Sequence, residues 1–188
     1  MLEMKTLQTD AVTRIYEAHL TKDFAADELK PLSHILERIE CGDYECFGFF
    51  ESHQLVGYMF FSGSRKSNLL LLDYFAVVNG KRGMGYGSQM LRHVKSLEYN
   101  KDGIIIEIEH PDSAKSREDY EVRKKREAFY LNNGLEKTNV ESSVNGVHFV
   151  ILFFKKPDGQ GTVHIANQLQ LLYEDLLSNK YKYQIWMS

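Results

Sequence analysis

The chain has 188 residues, of which 43% are hydrophobic, 26% charged and 12% aromatic, with a formal net charge of -3. That length suits one domain with a real core, and the composition argues against disorder. The slight acidity removes any general electrostatic case for nucleic acid or an anionic membrane, no run reaches the roughly 18 to 20 apolar residues of a membrane span, and the N-terminus shows no apolar run of signal-peptide length, so the expected address is the cytoplasm.

Thr9 or Asp10 is expected to cap a first helix whose apolar stripe is Val12, Ile15, Tyr16 and Leu20. A second helix starts near Pro31, carries Leu32, Ile35, Leu36 and Ile39, and ends at Cys41-Gly42-Asp43. Cys41 and Cys46 lie close together without metal-type companions and read as two thiols in a reducing compartment. The period then changes: residues 44–52 and 55–64 form two aromatic-rich strands joined by a short turn, an antiparallel hairpin. Residues 69–78 are continuously apolar except for Asp73, as in a central strand buried on both faces.

After a glycine-rich turn, Met90, Leu91, Val94 and Leu97 make a helical stripe. Residues 103–109 are another strand, closed by Pro111, and Ser116 with Asp119 opens a helix that Gly134 ends in the left-handed conformation. Residues 148–154 form a further strand, paired with the segment after Gly134. Ile165, Leu169, Leu172 and Leu176 mark a last helix, and the aromatic tail after it stays open between a homodimer contact, a lid and added core. The resulting order is two helices, three strands, helix, strand, helix, two strands, with a C-terminal helical extension: an α/β (α+β) chain.

The turn "VVNGKRGMGYGSQML" holds Gly80, Gly83, Gly85 and Gly87 beside Lys81 and Arg82. A strand that stops in a tight turn and opens a helix presents the helix's unpaired amides and positive dipole end to an anion. Glycines remove the Cβ atoms that would keep a bulky anion away. The turn lacks the lysine followed by Ser or Thr of a phosphate-binding Walker loop. It also follows an antiparallel hairpin rather than opening the parallel unit of a dinucleotide fold. A diphosphate suits it, and a turn made only for chain reversal is the plainer alternative.

Arg82, Gly85 and Gly87 fall on the fixed positions of a pattern, an apolar strand, then R/Q-x-x-G-x-G/A, then a helix, and the segment resembles the acetyl-coenzyme A signature of the GNAT superfamily of N-acetyltransferases. Phe129, Tyr130, Gly134 and Leu135 match that family's second signature, and the likeness spans residues 1 to about 156, leaving 157–188 as a helix and tail packed on or near that domain. The resemblance implies a mixed, mostly antiparallel sheet flanked by helices, with acetyl-coenzyme A as co-substrate and no metal. It puts the coenzyme's pyrophosphate on the turn, at Arg82, Gly83, Gly85, Tyr86, Gly87 and Ser88, with the backbone at Phe75 and Val77 clasping the pantetheine and polarising the thioester carbonyl.

Attack on a thioester by an alkyl amine needs a base, since the ammonium pKa is about 10, and a proton donor helps the departing thiolate. The resemblance gives the acid position to Tyr130, whose plainer role is packing the helix on the sheet. For the base, Asp73 shares a strand face with Phe75, and Glu109 lies near the C-terminal end of the next strand. Asp73 reads equally as a buried acid anchoring a neighbouring loop. Glu107 reads as part of a solvated face, His110 and His148 as structural histidines, and residues 115–127 as a solvated charged helix face. Arg126, where the family commonly has a small residue, departs from the pattern on the acceptor side. The expected function is transfer of an acetyl group from acetyl-coenzyme A to a primary amine, on a small molecule or a peptide, by direct attack. The alternative is a non-catalytic acyl-coenzyme A-binding regulatory or interaction module.

Overall fold

The computed structural model describes residues 1–26, 28–96, 101–156, 163–177 and 182–188. Eight strands form a mixed, mostly antiparallel sheet in the order β1-β2-β3-β4-β5-β7-β6-β8, flanked by helices. The chain divides into two units, Met1–Ser62 with Asp73–Leu97, and Gly63–Leu72 with Glu98–Ser188, so that strand β4 (Leu69–Val77) contributes to both.

In the first unit, β1 (Glu3–Thr6) pairs antiparallel with β2 (Tyr44–Glu51), and β2 with β3 (Gln54–Ser62). The β2–β3 hairpin turns on Ser52 and His53, both at positive φ, the mirror-image turn whose twist matches the flanking strands. Helix α1 (Thr9–Ile15) continues through a π-helical stretch, Tyr16–Leu20, into the short α2 (Thr21–Asp23). Helix α3 (Leu32–Glu40) follows Pro31 and ends at Gly42, whose φ is 76°. The expected cap at Thr9 or Asp10 is displaced: Gln8 takes the extended capping position, and Thr9 and Asp10 are already helical. The apolar stripe holds, since Val12, Ile15, Leu20 and Ile35 are buried with Tyr44, Tyr58, Phe60 and Tyr74 in one core. Helix α4 (Tyr86–Lys95) buries Met90, Leu91 and Val94, while Leu97 of the expected stripe lies outside the described residues. A Cβ on Gly57 would sit 2.5 Å from the Met90 sulfur and 2.8 Å from the Ala76 carbonyl oxygen, so glycine there is what lets Met90 approach the sheet.

In the second unit, β4 runs parallel to β5 (Gly103–Glu109), in a ladder covering Leu69–Leu71 against Gly103–Ile105. Strand β7 (Val147–Lys155) pairs antiparallel with β5 and with β6 (Glu136–Val144), joined by a tight turn at Asn145-Gly146. Helix α5 (Arg117–Asn132) begins on the Ser116 hydroxyl, which accepts from the Asp119 amide, and stops at Gly134, where φ is 82°. Helix α6 (Ile165–Leu176) seats Leu169, Leu172, Tyr173 and Leu176 against Leu69, Leu71, Ile105, Val140 and Ile151. Each fully buried leucine there contributes about 1.5–3 kcal/mol before entropy is counted. The aromatic tail is a strand, β8 (Tyr183–Met187), antiparallel to β6. No described helix is long and apolar enough to cross a membrane.

Candidate functional site

The glycine turn belongs to the first unit. Gly80, Gly83 and Gly85 have φ of 82°, 77° and 80°, a left-handed backbone that glycine adopts without a Cβ clash. Gly85 is the residue from which α4 starts, so the conformation of that one glycine aims the first turn of the helix. Within the turn, the Lys81 amide donates to the Val78 carbonyl oxygen at 3.0 Å, and the Gly80 amide to Asn79 Oδ1 at 3.0 Å. The backbone amides of Gly83, Met84, Gly85, Tyr86, Gly87 and Ser88 meet no acceptor among the described residues, and Gly83, Met84 and Gly85 are exposed. Unpaired amides at a helix start, beside a cation, are the elements of an anion seat.

Arg82 does not hang free over the turn. Its Nε donates to the Val77 carbonyl oxygen at 3.2 Å and its guanidinium to Asp23 Oδ1 at 2.7 Å, while Asp23 Oδ2 accepts from the Tyr58 hydroxyl at 2.8 Å. The side chain therefore ties the end of β4 to α2, a partnership that no letter near Arg82 announces. Tyr86 is buried, its hydroxyl donating to Glu51, so only its backbone faces the turn.

Along the last half of β4, Asp73, Phe75 and Val77 are half-buried and alternate with buried Tyr74 and Ala76, as the expected shared face requires. The Val78 amide donates to the Val56 carbonyl oxygen of β3 at 2.9 Å, so by alternation the Val77 amide points away from β3. Asp73 is bonded at both oxygens: Oδ1 by the Lys30 ammonium and Oδ2 by the Tyr44 hydroxyl. The Lys30 amide also donates to the Tyr74 hydroxyl at 2.8 Å, which donates in turn to the Glu28 carbonyl oxygen at 3.0 Å. Burial first, and the Asp73 charge second, raise the Tyr44 and Tyr74 hydroxyls well above the usual phenol range and keep them protonated donors. Burial, then Asp73, likewise pushes the Cys46 thiol up, which makes it a poor nucleophile.

Tyr130 lies in the second unit, near the end of α5, buried at 7% exposure with its ring 5.3 Å from that of Phe129. Burial pushes its hydroxyl up to about 12, against a smaller opposing pull from Arg126. Glu109 ends β5, and its Oε1 accepts from Arg123 at 3.0 Å, whereas Oε2 has no partner among the described residues. Glu107 is not on a solvated face: it accepts from the Tyr173 hydroxyl and from Ser142 Oγ at 3.1 Å.

The charged helix face is also revised. Arg123, Glu127 and Tyr130, spaced i, i+4, i+7, are the buried residues of α5. Arg123 bonds Asp119 Oδ1 at 2.9 Å, Glu109 Oε1 at 3.0 Å and the His110 carbonyl oxygen at 3.0 Å. Glu127 bonds the Lys124 ammonium, and that of Lys137 at 3.2 Å. Removing one partner of a fully buried pair costs about 3–5 kcal/mol. Glu109 and Asp119 keep 30% and 33% of their side chains exposed, which screens the loss. Arg123→Met should therefore lower unfolding free energy by about 2 kcal/mol in urea denaturation; an unchanged midpoint would show that the helix needs no such clamp.

No protein-family profile matches the sequence, and no curated protein does. Among solved structures, a protein assigned to the GNAT acetyltransferase family from Bacteroides thetaiotaomicron is similar with a TM-score of 0.68 at 18% identity, over 95% of this chain and 98% of that one. The ribosomal-protein-S18-alanine N-acetyltransferase of Escherichia coli is similar at 0.61 and 12%, over 87% of this chain and 99% of that one. Spermidine N-acetyltransferase of Vibrio cholerae, in complex with CoA and spermine, is similar at 0.60 and 11%, over 82% and 95%. The chain has the fold of the GNAT acetyltransferases.

Proposed function

We propose that the protein is an N-acetyltransferase that moves an acetyl group from acetyl-coenzyme A to a primary amine by direct attack. The observation that carries this reading is the run of amides from Gly83 to Ser88 that meet no acceptor among the described residues, placed by three left-handed glycines where β4 gives way to α4. The fold shared with acetyltransferases, one of them solved in complex with CoA and spermine, supports it.

When bound, acetyl-coenzyme A supplies the activated acetyl thioester. The amides of Gly83, Gly85, Tyr86, Gly87 and Ser88 hold the pyrophosphate, with the α4 dipole favouring its charge. Arg82 contributes chiefly by fixing the turn through Val77 and Asp23, and adds long-range positive potential. The backbone at Phe75 and Val77 aligns the pantetheine arm, and an amide there donates to the thioester oxygen. Glu109 takes the ammonium proton, directly or through water, because one of its oxygens has no partner among the described residues and about a third of its side chain is exposed. Asp73 already carries two donors and serves as the anchor of the Glu28–Lys30 loop. Tyr130 donates to the departing thiolate. The acceptor is an amine on a small molecule or a peptide.

Calorimetry with acetyl-coenzyme A, followed by thiol release over a panel of polyamines, aminoglycosides and peptides, tests the reading. Saturable binding is expected, with release on at least one amine that Glu109→Gln slows at least tenfold. Binding without release on any amine would make the chain a non-catalytic acyl-coenzyme A-binding module, and full activity of Glu109→Gln would remove the base assignment.

A further inference from the structure

Three side chains of the second unit that the transfer chemistry does not use converge from three strands. His110 follows β5, Glu141 lies in β6 and His148 in β7. Glu141 Oε2 is 2.6 Å from His148 Nε2, and Oε1 is 3.8 Å from His110 Nε2. One donor atom from each residue falls within 4.8 Å of the other two. The imidazole rings stack with centroids 4.4 Å apart, and Trp186, which pairs with Glu141 across the β6–β8 ladder, lies 5.0 Å from the His148 ring. Exposures of 15%, 12% and 31% for the side chains of His110, Glu141 and His148 make the cluster sheltered yet reachable. Burial works to raise the Glu141 carboxyl, but hydrogen bonds from His148 and Ser188 and the two nearby imidazoles outweigh it and hold it below the usual range.

We propose that His110, Glu141 and His148 bind a divalent transition-metal ion of zinc type. Two imidazoles and a carboxylate are the donor set that suits Zn²⁺ and its borderline neighbours, with water as a fourth ligand, whereas Mg²⁺ and Ca²⁺ call for more oxygens. Metal bonds of about 2.0–2.1 Å in a tetrahedron put donor atoms roughly 3.3 Å apart. The present spacings straddle that value, so Glu141 must ease back from His148 while His110 closes on it.

Two features weaken the site and set its expected strength. The rings are only 15° from parallel, so one must tilt for both Nε2 lone pairs to meet at one ion. The Asp112 amide donates to His110 Nδ1 at 3.1 Å, which leaves the ring proton on Nε2, and the ion must displace that proton and forfeit the bond. Affinity of micromolar order, that of an exchangeable ion rather than a permanent structural one, follows. An ion held here would tie together the ends of β5, β6 and β7.

The test is calorimetric titration of the full chain, freed of metal with chelator, using ZnCl₂. One zinc per chain with a dissociation constant of micromolar order is expected, together with a rise in melting temperature and, with Co²⁺ as probe, the intense visible bands of four-coordination. His148→Ala and Glu141→Ala should each weaken zinc binding at least tenfold, MgCl₂ should give no heat, and Cys41→Ser should bind as the parent does. No zinc binding by the parent chain would overturn the site, as would unchanged binding in His148→Ala or its loss in Cys41→Ser. Should the alanine variants unfold, His110→Gln and the Co²⁺ spectrum decide by the same criteria. None of these readouts depends on acetyl-coenzyme A, so the site can fail while the transferase reading stands, and the reverse.

Discussion

Tyr130→Phe is expected to slow acetyl transfer about 100-fold while leaving acetyl-coenzyme A affinity nearly intact. Burial holds the Tyr130 hydroxyl up to about 12, so at neutral pH it is fully protonated, the donor form. The same shift limits what it can give away. A thiol titrates near 8.5, so complete transfer from a phenol near 12 to a free thiolate is uphill by about 3.5 pH units, roughly 5 kcal/mol. The useful contribution is therefore a hydrogen bond that strengthens as charge develops on sulfur, which sets the loss near that of a single donor to a developing anion. Removing one oxygen from a helix residue packed beside Phe129 should leave the fold intact. The pH dependence follows from the direction of the shift: a raised pKa keeps the donor form through the alkaline range, so no activity loss traceable to Tyr130 should occur below about pH 11. Steady-state rates of both proteins from pH 6 to 10.5 check this. Normal turnover by the variant would remove Tyr130 from the chemistry, and a basic limb near 9 that vanishes in the variant would overturn the claim that its hydroxyl stays protonated through the alkaline range.

What could be read beforehand follows from what local patterns encode. The run at residues 69–78, broken once by Asp73, announced a central strand, and the glycines after it announced left-handed backbone, because both signals lie within a few neighbouring residues. Strand β1 left almost no trace: of Glu3, Met4, Lys5 and Thr6, only Met4 is even half-buried, as expected of a short edge strand. The tail's aromatic residues showed that it had bulk to bury, but not that β6 was its partner. Helix α5 is visible through its caps, yet its inner stripe escapes the sequence, because apolar periodicity is blind to a buried face made of Arg123 and Glu127. The same limit applies to the candidate site. Alternation places Asp73 with Phe75, but Lys30 and Tyr44, which take both of its oxygens, lie 43 and 29 residues away in the chain. His110 and His148 likewise read singly as structural histidines, and only the β5-β7-β6 strand order brings them together with Glu141.

Gly85→Val should abolish measurable acetyl-coenzyme A binding while costing the fold little. A Cβ built on Gly85 meets nothing within 4 Å, so crowding does not oppose the change. The backbone does: φ is 80°, and a β-branched residue pays about 1–2 kcal/mol to remain in the left-handed region. The turn relieves that strain by rotating to negative φ, which is inexpensive because Gly83, Met84 and Gly85 are exposed and their amides hold no partner among the described residues. Rotation at this residue redirects the amides of Tyr86, Gly87 and Ser88, since α4 starts from it. An anion held by several converging donors loses most of its affinity when they diverge, so a fall of at least 100-fold in calorimetry is expected, against a melting-temperature drop of about 2–8 °C. Gly85→Asn separates the two causes, because asparagine tolerates left-handed backbone. It should keep the parent's melting temperature and bind more tightly than Gly85→Val, with any remaining deficit measuring how closely the pyrophosphate must approach the chain. If Gly85→Val binds acetyl-coenzyme A as the parent does, the turn is not the phosphate seat, and the transferase reading falls with it.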